Sequence, residues 1–238
     1  MPTTQKQPID LYYWNTPNGY KVSILLEELG LPYAVHYVDI GKGDQFKPEF
    51  LAISPNNRIP AIVDPEGPDG KPISIFESAA IMIYLAEKFG RFIGRNPRER
   101  VAVLEWLEWQ MGGVGPMFGQ YGHFKSAAPE KIPYALTRYG NEVHRLYRIL
   151  NDRLKGRDYV ADDYSIADMA LFGWTRNWKN RDIDAETEFP NVVAWAGRIE
   201  ARPAVVRGLA PLKPPPREER KETPEEAEAR RKMLYGQR

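Results

Sequence analysis

The sequence predicts two domains of different class, an α/β unit of order βαβ-ββα over residues 8–91 and an all-helical unit over residues 98–210. Three observations predict this. Short apolar runs of strand length alternate with helical periods only in the first ninety residues. Gly30 with Pro32, and then Gly90, end the first two helical runs. From Arg98 onward strand signals nearly vanish and apolar residues recur at helical spacing.

Ile9 to Trp14 reads as a short strand. Thr16-Pro17-Asn18-Gly19 is then a turn that opens a helix, with proline near the first helical position and Val22, Leu25, Leu26 and Leu29 at helical spacing. A second strand, Tyr33 to Val38, follows within three residues, which suits a parallel pair joined by a right-handed crossover. An irregular stretch through Gly41, Gly43 and Pro48 leads to the strand Ile59 to Val63. The segment Asp64 to Gly70, rich in Pro, Gly and acid, connects it as a hairpin to Ile73 to Phe76. Ser78 is placed to cap the helix Ala79 to Phe89.

In the helical part, Val101, Leu104, Leu107 and Met111 mark one helix, and Gly112-Gly113-Val114-Gly115-Pro116-Met117 reads as a break after it. Leu136, Tyr139, Val143, Leu146, Leu150 and Leu154 mark a long second helix. Ser165-Ile166-Ala167-Asp168 has capping-box spacing with Asp in place of Glu, flanked by Tyr164 and Met169 as a hydrophobic staple, and predicts a buried helix from Ile166 to about Trp178. Residues 211–238 form a charged, proline-rich tail: Pro211 to Pro216 is a stiff exit, and Thr223-Pro224-Glu225-Glu226 starts a last short helix. Met233, Leu234 and Tyr235 are its few large apolar residues, so it is expected to add little core and to be dispensable.

Composition narrows the chemistry. Lys and Arg total 33 against 32 Asp and Glu, a formal net charge of +1, so no overall field favours nucleic acid or an anionic membrane. There are no cysteines, which excludes structural disulfides, thiolate metal sites and a cysteine nucleophile; redox chemistry must borrow a ligand's sulfur. His36, His123 and His144 share no metal-ligand spacing, so no metal is expected. The N-terminus has no basic stretch followed by an apolar core, and no run approaches about 18 apolar residues, so the expected location is cytoplasmic.

Four blocks, in this order, carry a resemblance: Thr16-Pro17-Asn18-Gly19; Gly41-Lys42-Gly43-Asp44-Gln45-Phe46; Ile53-Ser54-Pro55-Asn56-Asn57-Arg58-Ile59-Pro60-Ala61; and Phe76-Glu77-Ser78. Over roughly Ile9 to Leu209 the chain resembles the cytosolic glutathione transferases, the bacterial nu class in particular, whose members are described as glutathione-dependent disulfide-bond oxidoreductases. The resemblance implies a thioredoxin-like first domain, glutathione as substrate or co-substrate, no metal, and a homodimer.

It also implies roles for particular residues. A cis peptide before Pro60 would turn the backbone of Ile59 outward to pair with the cysteinyl part of the tripeptide as an added strand. The N–H groups opening the helix at Ser78, with its hydroxyl, suit the γ-glutamyl carboxylate, whether or not Ser78 also caps the helix. Glu77, abutting that terminus, is expected to be buried against the ligand ammonium. Gln45 and Arg58 would reach the glycyl end or the carboxylates, and Arg138 would reach glutathione or its disulfide from the helical domain.

The sulfur needs activation, because a free thiol of pKa about 8.5 is only a few per cent ionised at neutral pH. The helix start after Thr16 supplies N–H groups and the positive dipole end, and the Thr16 hydroxyl and Asn18 amide can each donate to the sulfur. Similar classes use Tyr or Ser near this place, but here Tyr12 and Tyr13 lie inside a strand and are read as packing, one to each face. Trp106 with Trp109, and Trp174 with Trp178, are read as core. The expected function is disulfide reduction by bound glutathione thiolate, with possible organic hydroperoxide reduction. The rival readings are conjugation to electrophiles and a non-catalytic regulatory module. Expected partners are glutathione or its disulfide with small disulfides, hydroperoxides or electrophiles, and neither nucleic acid nor membrane.

Overall fold

The computed structural model describes residues 5–210 and 223–235, so the proline-rich exit Pro211 to Pro216 lies outside the described residues. The first domain runs β1 (Ile9–Tyr13), α1 (Pro17–Leu29), β2 (Tyr33–Tyr37), α2 (Pro48–Leu51), β3 (Ala61–Asp64), β4 (Ile73–Phe76) and α3 (Ser78–Phe89). Its four strands lie in the order β2-β1-β3-β4. β1 and β2 are parallel, with Ile9 opposite Tyr33; β3 runs antiparallel to both β1 and β4, with Ile62 opposite Leu11 and Ile75. This is the predicted βαβ-ββα order. The stretch expected to be irregular holds a 3₁₀ turn, Asp44–Phe46, and the one-turn α2, which begins at Pro48, where a missing N–H costs nothing.

The strand period decides which face of β1 enters the core. Ile9, Leu11 and Tyr13 are fully buried, whereas Asp10 and Tyr12 between them are not. Tyr12 instead stacks on His36 with ring centres 4.9 Å apart. Both tyrosines therefore pack, one on each face, as their alternation predicts.

The second domain continues with α4 (Pro97–Trp109), a π-helical turn (Gln110–Val114), α5 (Gly115–Gly122), a second π-helical turn (His123–Ala127), α6 (Pro133–Arg153), α7 (Ile166–Thr175), α8 (Ala185–Glu188), α9 (Pro190–Glu200) and α10 (Pro203–Leu209). Three expectations change here. The glycine-rich segment is no break: one wide turn carries α4 directly into α5, since glycine tolerates the altered spacing and packing holds it. In α4 it is Val103 and Leu107 that are buried, while Val101 is 54% exposed, so the apolar stripe is rotated from the periodic reading. α7 ends at Thr175, one turn earlier than predicted. Its capping box forms as read, with the Asp168 carboxylate accepting from the Ser165 N–H at 3.1 Å; burial nonetheless pushes Asp168 up to about 6.

The domains meet on α1, against which α7 and α10 pack. A Cβ on Gly208 would lie 2.7 Å from Ile24 Cα, and one on Gly173 would lie 2.8 Å from the Pro17 carbonyl oxygen. Only glycine allows these approaches, and a larger residue would cost about 1–3 kcal/mol in overpacking. Ser23 Oγ donates to the Gly208 carbonyl at 2.7 Å, and Arg202 forks onto Glu28 at 2.6 and 2.9 Å. The helical domain thus holds α1 from its first residue, Pro17, to Glu28 near its end.

The tail forms α11 (Pro224–Tyr235), opened by Thr223, whose hydroxyl accepts from the Glu226 N–H at 3.2 Å. None of its residues is buried, yet it touches both domains. Met233 Sδ lies 2.8 Å from where a Cβ on Gly43 would sit, and the Tyr235 ring is centred 4.9 Å from that of His123. Among the described residues no helix is long and apolar enough to cross a membrane, and no group of His, Asp and Glu could hold a metal ion.

Candidate active site

Two helix starts and one strand entry face a cleft of about 260 Å³ lined by Asn18, Asn56, Arg58, Ile59, Pro60, Phe76, Glu77, Ser78 and Met111. The α1 start is self-capped. Thr16 is extended, at φ −137° and ψ 160°, and its Oγ1 accepts from the Gly19 N–H at 3.1 Å. That bond uses an oxygen lone pair and leaves the hydroxyl proton to be donated elsewhere. The Asn18 N–H, in the first turn, has by position no intrahelical acceptor.

Asn18 is also oriented from the other domain. The Trp174 indole N–H donates to Asn18 Oδ1 at 3.0 Å across 156 residues of sequence. An indole N–H can only donate, so it holds the amide with its oxygen toward α7 and both amide N–H groups free for other acceptors.

The α3 start is built differently. Glu77 occupies the cap position with φ 68° and ψ 116°, a backbone region a non-glycine residue rarely enters, and no side chain caps the helix. Ser78 is therefore the first helical residue and not the cap. Its oxygen accepts from Lys21 Nζ at 3.3 Å. The N–H groups of Ser78, Ala79 and Ala80 have no intrahelical acceptor by position, and the dipole makes this end attractive to anions. Glu77 is exposed, contrary to the expected burial, because its unusual backbone turns it outward to accept from Asn56 Nδ2 at 3.1 Å.

Between the two helix starts, the Ile59-Pro60 bond is cis. Ser54 Oγ donates to the Arg58 carbonyl at 2.9 Å and holds the approach to it, while the Arg58 guanidinium donates to Asn57 Oδ1 at 3.3 Å and is exposed. Met111 arrives from the helical domain because the π-helical turn re-aims it toward Lys21, to within 3.2 Å of the Nζ.

Of the residues expected from sequence, Asn18, Arg58, Ile59, Pro60, Glu77 and Ser78 line the cleft together. Thr16 stands beside it as the cap of α1. Gln45 does not line it: the side chain is buried in the 3₁₀ turn and donates to the Ile40 carbonyl at 3.3 Å. Arg138 is exposed on α6 and is likewise absent from the lining. The Tyr13 hydroxyl is buried and does not line the cleft, and that burial pushes its phenol well above the usual range. Sequence reasoning missed Asn56, Phe76, Met111, Lys21 and the Trp174 contact. Asn56 and Phe76 lay inside the blocks already singled out; the other three gave no local signal.

The glutathione S-transferase N-terminal domain family matches residues 16–88, and the glutathione S-transferase C-terminal domain family matches residues 135–203. The disulfide-bond oxidoreductase YfcG of Escherichia coli strain K12 is 52% identical over 203 residues, 84% of this chain and 94% of that protein. A glutathione transferase from Burkholderia graminis, solved with two glutathione molecules bound per subunit, is 47% identical with a TM-score of 0.84, covering 90% of this chain and 92% of that one. A glutathione transferase from Pseudomonas putida, solved with one glutathione disulfide per subunit, is 45% identical with a TM-score of 0.83, covering 89% and 95%. Both domains of the fold, the cis proline between two open helix starts, and identity that extends across both domains lead to one conclusion: this chain belongs to the glutathione S-transferase family.

Proposed function

We propose that the protein is a glutathione-dependent disulfide-bond reductase in which all reacting sulfur comes from ligands. The observation that carries this is the pairing, in one cleft of a chain without cysteine, of two unlike helix starts on either side of Ile59. The α3 start, with Glu77 and Ser78, suits the γ-glutamyl ammonium and carboxylate. The backbone of Ile59 suits the cysteinyl amide, and Arg58 is near enough to meet a carboxylate. The α1 start then faces the sulfur, to which the Thr16 hydroxyl and the Asn18 amide donate. Lowering the thiol pKa by two units is worth about 2.7 kcal/mol and makes the thiolate the major form near neutral pH.

In the reaction, glutathione thiolate attacks one sulfur of a small disulfide, forming a mixed disulfide and releasing the other half as thiolate. A second glutathione thiolate attacks the glutathione sulfur of the mixed disulfide, yielding glutathione disulfide and the second thiol. Two glutathiones are oxidised and one disulfide is reduced. The relative named a disulfide-bond oxidoreductase, and the neighbours holding two glutathiones or one glutathione disulfide per subunit, support this reading over conjugation. The same thiolate would reduce organic hydroperoxides. Gln45 is assigned to the glycyl end of the ligand or its carboxylates and Arg138 to glutathione or its disulfide, although neither lines the cleft. A cytoplasmic homodimer completes the reading.

An assay panel tests it. Disulfide reductase turnover should exceed conjugation of aromatic electrophiles, and dominant conjugation would reverse the assignment. Calorimetry that detects no binding at millimolar glutathione would leave only a regulatory module.

A further inference from the structure

Lys21 is 1% exposed, lies on α1, and forms no ion pair among the described residues. Its ammonium sits behind the cleft, donating to Ser78 Oγ at 3.3 Å and to the weak acceptor Met111 Sδ at 3.2 Å. A buried, uncompensated charge destabilises a fold, and a methionine or leucine would fill this space without that cost. Its position behind Ser78 gives the charge a use.

An ammonium has three donors and no acceptor, so Ser78 can meet it only through an oxygen lone pair. The Ser78 proton must therefore point away from Lys21. It reaches Met111 Sδ, 3.8 Å off, which is a poor acceptor. A carboxylate arriving at the open α3 start would take that proton and pair, through the hydroxyl, with the charge behind it.

Resting on the functional reading above, we propose that Lys21 is the positioning residue of the γ-glutamyl carboxylate subsite, fixing the Ser78 hydroxyl as a donor toward the ligand and supplying the buried positive charge that the carboxylate compensates. Carboxylate binding and protonation of Lys21 are then coupled, each favouring the other.

The surroundings allow this coupling. Burial lowers Lys21 to about 7, and the carboxylate of Glu77 at the head of α3 partly opposes that. Other charges on the elements packed against α1 are engaged elsewhere. On α3, Lys88 pairs with Asp64 and Glu87 with Arg100; on α7, Asp168 accepts from Val160, Ser165 and Trp195; on α10, Arg207 pairs with Glu27. The unfolded chain keeps the Lys21 proton up to its ordinary value of 10.5, and the folded protein without ligand only to about 7. Between those values the unfolded state binds more protons, so stability rises with pH across that window.

The test uses S-methylglutathione, whose blocked sulfur removes the thiol proton from the balance. In the wild-type protein carrying ¹³C-labelled lysine, the Lys21 resonance, assigned by its loss in Lys21→Met, should titrate near neutrality and move upward by a unit or more when the analogue saturates the site. Lys21→Met should weaken the analogue about tenfold to a hundredfold at pH 6.5. The gap should narrow above about pH 8, where wild-type Lys21 has lost its charge. The variant should also unfold at higher denaturant and lose part of the rise in stability between pH 7 and 10. If the analogue binds wild type while the Lys21 midpoint stays put, or Lys21→Met binds it equally well at pH 6.5, the coupling is refuted and the functional reading stands. If the analogue does not bind wild type at all, both fall.

Discussion

The two helix starts that face the cleft differ in how each satisfies its own N–H groups. At α1, Thr16 is extended and its hydroxyl oxygen caps Gly19; at α3, Glu77 has a positive φ and no side chain caps the helix. A capped end presents a positive dipole, a spare hydroxyl proton and an amide held by Trp174. An uncapped end presents several N–H groups in need of an acceptor. The first suits a soft, polarisable anion such as a thiolate, which needs stabilising more than anchoring. The second suits a carboxylate, which anchors. The difference separates chemistry from binding, and substitutions on each side should show it.

The largest effect is expected at the anchoring side. Glu77→Gln removes one charge-assisted hydrogen bond to the ligand ammonium and should raise the glutathione Kd about tenfold to a hundredfold. The fold should be unaffected because Glu77 is exposed. Calorimetry that gives an unchanged Kd would remove Glu77 from the site.

On the chemical side, Thr16→Ala and Asn18→Ala should each lower turnover near neutral pH by about tenfold, at the lower end of the same range because the backbone N–H groups and dipole remain. Bound-thiol pKa should rise while Kd changes less, and raising the pH should partly rescue both. Thr16→Ala also loses a helix cap worth about 1 kcal/mol. Thr16→Ser keeps both the cap and the donor, so its recovery of turnover would be expected. Titration of thiolate absorbance decides: an unshifted curve in both alanine variants would mean these side chains only shape the turn.

A smaller effect tests the orientation of Asn18. Trp174→Phe keeps an aromatic side chain at this position but removes the indole donor. Without it the amide can rotate, and turnover should fall about threefold to tenfold with Kd nearly unchanged, for a loss of about 0.5–1.5 kcal/mol. A rise in Kd that accounts for the lost activity would show that Trp174 acts on ligand binding instead.

The smallest effect should come from the tail, which belongs to neither start. Truncation after Leu212 removes the contacts of Met233 with Gly43 and of Tyr235 with His123. The protein should still fold, with a Tm lower by about 2–6 °C, since about 1 kcal/mol moves a domain of this size by roughly 2–4 °C. Loss of folding would show that α11 is part of the core architecture.

Much of this was readable from the chain alone because its signals are local. Thr16-Pro17, Ser165 through Asp168, and Gly30 encode helix ends within four residues, and strand alternation in Ile9 through Tyr13 encodes which face is buried. The order βαβ-ββα, the switch to helices after Arg98, and the cluster Asn18, Ile59, Glu77 and Ser78 were legible on those grounds together with the family resemblance. Tertiary structure alone decided the rest. That Ser78 accepts from a buried lysine, that Trp174 holds Asn18 across 156 residues, that a π-helical turn and not a break brings Met111 to the cleft, and that Glu77 turns outward all depend on which distant surfaces meet. Local sequence specifies torsion preferences and periodicity, but a buried charge, an oriented amide or a strained backbone is held only by the packing of segments that are remote in sequence.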